Sequence, residues 1–391
     1  MHFPHFEYTL NRELTELYVS IALRNFTLGL ISIFVPIYIF IYFSQDLSKT
    51  ILFFGVIGIL HGALSPLAGK IITKLGVKHS MLASVPFLFL YYLGLLKIQA
   101  LGSFFFLIIP IAVLHNIFYW PAFHIDFTRF SDQQSMGKQL SYRHTVAALS
   151  AAAAPFVGGL IIVKMGYPVL FAIVLVLLFS SIIPLFLSKE VHETYTDSFQ
   201  KAYREIFQKK YRNKAIAFFA EGAEVAVQGI IWPIFLFALA ISYSSIGGIW
   251  SVALFVGILF ALYLGKATDR IGHGRLLILG SWLNAFTWPL KMFVQTPLDA
   301  FLVNTLHQLT RLSSHLPFGA LFYNWSARHD VNRDRFIIFR EMTHNIGMGI
   351  FLIVLSGIFL YFENMAIAFP IAGVLSLFMT FFVRGVRDEA N

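Results

Sequence analysis

Cysteine is absent from the 391 residues. That excludes disulfides, thiolate-bound metals and thiol nucleophiles. Charge is scarce as well. Only 13% of the residues are Asp, Glu, Lys or Arg, against roughly 25% in soluble domains. A water-soluble fold needs polar surface, and a chain that is 58% hydrophobic has little to offer. Burial in a bilayer is the simplest reading. The start MHFPHFEYTLNRELTE lacks the basic-then-apolar order of a secretory signal and reads as a short cytoplasmic arm. No Walker A loop, nucleophile elbow or H-E-x-x-H helix occurs. The expectation is therefore no enzyme, no cofactor, no metal and no ATP drive within this chain.

Long apolar runs are what the chain has in abundance. A spanning helix needs roughly 20 mostly apolar residues. Twelve stretches qualify: 17–43, 51–72, 80–97, 101–124, 143–163 and 168–187, then 215–241, 245–266, 276–295, 300–326, 341–362 and 365–384. They are numbered as spans one to twelve. The longest connection, 188–214, separates two sets of six. The expected fold is an all-α integral membrane protein, with twelve transmembrane helices in two pseudo-symmetric six-helix bundles. Residues 1–187 form the first bundle, 188–214 a cytoplasmic linker and 215–391 the second. In the linker Phe199, Tyr203, Ile206, Phe207 and Tyr211 recur at helical spacing among Lys and Arg. That pattern predicts an amphipathic helix resting on the inner leaflet.

The net charge of +9 follows from topology. With the N-terminus inside, 23 of the 29 Lys and Arg fall in cytoplasmic segments. Three lie outside (Lys49, Lys97, Lys164) and three within spans (Arg24, Lys291, Arg311). This is the positive-inside pattern. It removes any need for nucleic acid, and it puts both termini on the cytoplasmic side of a cell membrane.

The two halves share a plan. GKIITKLGVKH (69–79) follows span two, and GKATDRIGHGR (265–275) follows span eight, 196 residues later. IFVPIYIF (33–40) parallels IIWPIFLF (230–237), aligning Pro36 with Pro233. Pro121 parallels Pro317, and Arg143 parallels Arg340. Parallel six-helix repeats are a known transporter plan with a midplane site between the halves.

At these motifs the chain resembles the major facilitator superfamily. GKATDRIGHGR is similar to its G-x-x-x-D-R-x-G-x-x-R loop, and GKIITKLGVKH to the partner loop. The resemblance implies alternating access in a monomer, with spans one, four, seven and ten lining a cavity. It also implies a cytoplasmic gate built from Gly69, Thr73, Lys74, Gly76, Arg143, Gly265, Asp269, Arg270, Gly272, Arg275, Arg340 and Glu341. Asp269 is expected to meet a helix start or Arg143. Thr73 stands where the first loop would carry Asp, and a hydroxyl cannot form an ion pair. Topological charge alone is the plainer role for both loops. Span five carries Pro155, Gly158 and Gly159 of SAAAAPFVGG, similar to the family's antiporter motif. Plain tight packing is the alternative role.

Ionisable residues inside a bilayer are costly and usually functional. Span one has Arg24. Span four has His115, Asn116 and Tyr119. Span seven has Glu221, Glu224, Gln228 and Trp232 on one face. Span ten has His307, Arg311 and His315 at four-residue spacing, also on one face. Glu224 and Arg311 both fall near mid-depth and are expected to pair. Glu221 and Arg24 are expected to form a second layer. His61 reads as packed. Arg143, His144, Glu341 and His344 read as contacts at the inner mouth, and Lys291 as a side chain snorkelling to headgroups. Tyr119, Trp120, Trp232, Tyr323 and Trp325 are candidate cavity rings.

The expected function is a proton-coupled secondary transporter of a small organic solute, working as an exporter, with Glu221 or Glu224 carrying the proton. Mixed charge and aromatics suit an amphipathic cargo with a carboxylate for Arg311 or Arg24. His115 stands where the family's span-four arginine is expected, which departs from standard drug/proton antiport. A non-transporting membrane partner or chaperone is the alternative.

Overall fold

The structure is a computed structural model that describes residues 12–130, 149, 151–181, 195, 198–327, 333–362 and 364–387. Side chains are described from residue 22 onward, without those of 129, 130, 266–269 and 387. Arg143 and His144 lie outside the described residues, as does the side chain of Asp269.

Among the described residues the chain is helical, with nine stretches long and apolar enough to cross a membrane. Together with two further helices they make up the twelve spans. Ala154–Ser181 contains two of them, joined at Gly166 with φ of +80°. His273–Phe293 and Pro297–Ser326 supply spans nine and ten, whose polar side chains lower their hydropathy. Span one is Arg12–Ile31 plus Phe34–Tyr42, span two Leu47–Leu75, span three Val77–Leu96 and span four Ile108–Phe130. Span seven is Arg212–Ala238, span eight Tyr243–Ile271, span eleven Arg333–Phe359 and span twelve Ala368–Arg387.

Local chemistry sets the ends. The Asp46 side chain accepts the Lys49 N–H at 2.9 Å and caps span two. Thr296 and Asp299 form a reciprocal capping box before span ten. Gly76 (φ +87°) and Gly272 (φ +90°) make the tight turns after spans two and eight. A left-handed turn is cheap for glycine alone, so the paired loops preserve it at both places.

Two helix breaks are equivalent. Pro233 has no N–H, and its ring pushes away the carbonyl four residues before it. Span seven accordingly widens into a π turn at Val227–Ile231. Pro36 does the same in span one, which breaks at Ser32–Ile33.

The halves meet through small residues. Gly58 of span two faces Gly349 of span eleven so closely that a Cβ on Gly58 would lie 3.0 Å from the Gly349 backbone. Ser48 and Ser356 join the same helices: their hydroxyls lie 2.9 Å apart, and each lies 2.9 Å from the other's carbonyl, within donating reach. Gly159 and Gly247 abut the carbonyls of Tyr243 and Pro155, locking spans five and eight. Gly158 abuts the Leu30 carbonyl of span one. Close backbone approach of this kind is what holds helices together where lipid offers no hydrophobic drive.

The linker makes contacts that the sequence does not show. Phe199–Ile206 is a helix, but part of it packs on protein. Ala202 and Glu205 are buried, and the Tyr203 hydroxyl donates to the Ala63 carbonyl. Glu205 pairs with Arg335 of span eleven. Phe207 is left 86% exposed. A carboxylate and a phenol on the apolar face can find partners on neighbouring helices, and bare lipid would leave them unpaired.

Candidate substrate and proton site

Three polar clusters lie within the helices. The first is inside the second bundle. Glu224 is fully buried and its carboxylate is surrounded by donors. His315 Nε2 donates to Oε2 at 2.9 Å. Asn284 Nδ2 and Trp288 Nε1 donate to Oε1 at 3.3 and 3.2 Å. Arg311 Nε lies 3.6 Å from Oε1, a charge contact beyond hydrogen-bond reach. The expected Glu224–Arg311 pair is therefore present, with His315 one turn along the same face. The Arg311 side chain is 24% exposed while that of Glu224 is sealed. Charge on Glu224 thus reaches accessible space through Arg311 and His315.

The same cluster holds a residue that the sequence placed wrongly. Lys291 does not snorkel; it is fully buried. Its ammonium lies 4.6 Å from the Trp232 ring and 4.1 Å from the Trp288 ring, and it donates to Gln228 Oε1. Cation–π contact and one amide oxygen replace water. Trp232 Nε1 donates to Asn304 Oδ1 at 3.0 Å. The His307 ring stands edge-on to Trp288 at 4.3 Å. Trp232 is thus a core residue of the bundle rather than a cavity ring. Trp325 is likewise buried, against Phe336 and under the Lys214 ammonium.

The second cluster is in the first bundle. Arg24 does not reach Glu221, so the expected second layer is absent. Arg24 Nη2 instead lies 3.2 Å from His115 Nε2, and its guanidinium carbon 3.7 Å from the Tyr119 ring centre. His115 Nδ1 is 3.0 Å from the Ser84 carbonyl, which can only accept. The Nδ1–H tautomer follows, and Nε2 is left to accept from Arg24. Asn116 is half-buried on the same span.

The third cluster joins the halves at the end that carries the basic loops. Arg340 Nη2 is 3.3 Å from both oxygens of Glu221, and Nη1 is 2.6 Å from Glu341 Oε1. Nη1 also donates to His124 Nε2 of span four at 3.1 Å, so that ring accepts there. His124 Nδ1 then donates to the Tyr323 hydroxyl of span ten at 2.6 Å. His344 Nδ1 donates to Glu221 Oε2 at 3.1 Å. His61 of span two, packed as expected, lies 3.7 Å from Glu341. Glu221 lost its expected partner because Arg340 approaches from the neighbouring span eleven. His124 was missed, since one His on an apolar face carries no signal of a partner from the other half.

The loop residues divide by role. Gly69 seats the Tyr195 ring so closely that a Cβ there would collide with it. Thr73 accepts the Tyr195 N–H at 2.8 Å and donates to the Gly69 carbonyl at 2.9 Å. The hydroxyl that replaces Asp thus anchors the linker. Lys74, Arg270 and Arg275 are exposed, and Gly265 and Pro155 are buried.

Twelve spans in two equivalent halves, with ion pairs held inside them, define the secondary-transporter class. The chain belongs to the Major Facilitator Superfamily, whose family model matches residues 17–220. It is a transporter-family protein and not an enzyme. No curated protein matches it. Among solved structures it is similar to a variant of the E. coli fucose:proton symporter FucP, at 15% identity over 95% of this chain and 97% of that one, TM-score 0.66. FucP in its outward conformation gives 0.64 at 15% identity over 95% and 98%. The human organic anion transporter MFSD10 (TETRAN) gives 0.66 at 9% identity over 95% and 99%. At these identities the likeness is one of fold.

Proposed function

We propose that this chain is a proton-coupled secondary transporter of a small organic solute, with Glu224 as the proton-exchanging group. The observation that carries the reading is the arrangement of Glu224, Arg311 and His315. A sealed carboxylate is held by a guanidinium and an imidazole whose side chains are partly exposed. Protonating Glu224 removes the charge that holds Arg311. The guanidinium is then free to meet a substrate, and the two ligands are linked through one side chain. Alternating access follows from the inter-half cluster. Arg340 and its partners must separate for that end to open, while the span two–eleven and five–eight contacts act as the pivot.

Two of the structural neighbours carry names that state a proton and an organic anion as their cargo. Their chemistry agrees with a buried carboxylate and buried cations, at the level of class. The span-five residues Pro155, Gly158 and Gly159 favour export, on their likeness to the antiporter motif. The cytoplasmic placement of both termini rests on the 23-to-3 split of basic residues. The test is purified protein in liposomes with an imposed pH gradient, an internal pH dye and a library of organic solutes. Solute-dependent proton movement that needs Glu224 supports the reading. Silence across the library with folded protein favours a non-transporting membrane partner.

A further inference from the structure

We infer that Arg24 is the binding site for a carboxylate on the cargo, with the aromatic face of span four beside it as the site for an apolar body. The inference rests on the transporter reading and specifies its substrate class. The structure separates the two arginines that the sequence left equal. Arg311 already has a carboxylate in Glu224. Arg340 has two, in Glu221 and Glu341. Arg24 is 6% exposed, yet no acidic side chain among the described residues stands within ion-pair distance of it. Its one hydrogen-bond partner among the described residues, His115, presents an accepting nitrogen whose tautomer the Ser84 carbonyl sets.

A guanidinium buried among helices without a counter-ion is costly. Helix rise places Arg24 roughly 18 Å from the start of span one. A fold keeps such a group when an anion completes it. Guanidinium and carboxylate are matched planar forks that pair through two parallel bonds. Here the Tyr119 ring covers one guanidinium face and His115 takes one edge. Among the described residues, the sealed, unpartnered nitrogens include Arg311 Nε but none of Arg24. The remaining Arg24 donors therefore open onto accessible space.

The shape beside Arg24 sets the rest of the ligand. His115, Tyr119 and Phe123 follow at four-residue spacing. Their rings run as a near-parallel ladder, 5.7 and 5.6 Å between centres and 20° and 13° between planes. Trp120 stands edge-on to Tyr119 and is 38% exposed. A ladder of rings ending on a cation suits a monocarboxylate with an aromatic or alkyl body.

The test uses the full chain in nanodiscs, with 3-phenylpropanoate, benzoate and octanoate as probes. Each is paired with its neutral amide, and chloride is titrated separately. Binding is read by thermal unfolding and tryptophan fluorescence, without transport. At least one carboxylate should bind ten-fold or more tightly than its amide and than chloride. Arg24→Gln should weaken it at least ten-fold, and Arg24→Lys should do so in part, since an ammonium keeps the charge without the fork. Because binding is read without a pH gradient or transport, loss of coupling and loss of this site are read apart. Ligand-free Arg24→Met should unfold at the wild-type temperature or above it, because removing an unpaired buried charge relieves a cost. A structural latch would instead make that variant melt lower. The assignment is overturned if no carboxylate binds, if amide or chloride binds equally, if Arg24→Gln binds as wild type, or if Arg24→Met is destabilised.

Discussion

Arg24 and Glu221 occupy equivalent places in the two halves, 197 residues apart, and carry opposite charges without meeting. Arg24 turns to His115 within its own bundle. Glu221 turns to Arg340 and His344 of span eleven. The duplicated architecture has thus become chemically asymmetric. Among the described residues, Arg24 has no carboxylate partner, whereas Glu221, Glu224 and Glu341 each lie against an arginine or histidine.

The Arg340 cluster should control closure of the basic end. Removing its guanidinium leaves Glu221 and Glu341 buried without their cation, a change that typically costs about 3–5 kcal/mol. Arg340→Gln should therefore favour the separated state. The chain has no cysteine, so Phe127→Cys introduces a single reporter where Phe127 packs on Tyr323 at 4.6 Å. Its maleimide labelling should rise roughly ten-fold or more in the Arg340→Gln background, about 1.4 kcal/mol in the opening equilibrium. An unchanged labelling rate would detach this cluster from the gate.

Two glycines should respond in opposite directions. A Cβ at Gly158 would run into the Leu30 carbonyl, and backbone cannot swing aside. Gly158→Ala should cost about 1–3 kcal/mol and lower the thermal midpoint. Gly357 has open space around a Cβ. Gly357→Ala should leave the midpoint unchanged or raise it, by up to about 1 kcal/mol of helix preference. Thermal unfolding of both proteins in detergent checks the pair.

Lys291 should be chemically silent. A lysine at the headgroups would acylate readily, whereas one enclosed by Trp232, Trp288 and Gln228 is shielded. Peptide mass spectrometry after brief treatment of the native protein with an amine-reactive ester should find Lys49 modified, since its side chain is 67% exposed. Lys291 should be modified only after unfolding.

Much of this was legible in sequence for identifiable reasons. Span number follows from apolar run length, which the bilayer fixes. The Glu224–Arg311 contact was visible because four-residue spacing puts side chains on one face, and helix rise sets their depth. Rotation between helices is not encoded in spacing. Arg24 and Glu221 shared a depth and opposite charge, but their spans present them to different neighbours. Lys291 failed for a related reason. It sits in a 3₁₀ turn, Trp288–Phe293, that swings it inward, where an unbroken α-helix was expected. Thr73 looked like a lost acid until Tyr195, far along the chain, supplied its N–H.

The account depends most on Glu224, and one comparison tests it directly. Wild-type protein and Glu224→Gln are reconstituted in liposomes with a solute that the wild type moves. Gradient-driven accumulation and gradient-free exchange of labelled solute are then measured side by side. The account predicts that Glu224→Gln loses accumulation across a pH gradient while still exchanging solute. Concentrative transport at the wild-type rate in Glu224→Gln would contradict it.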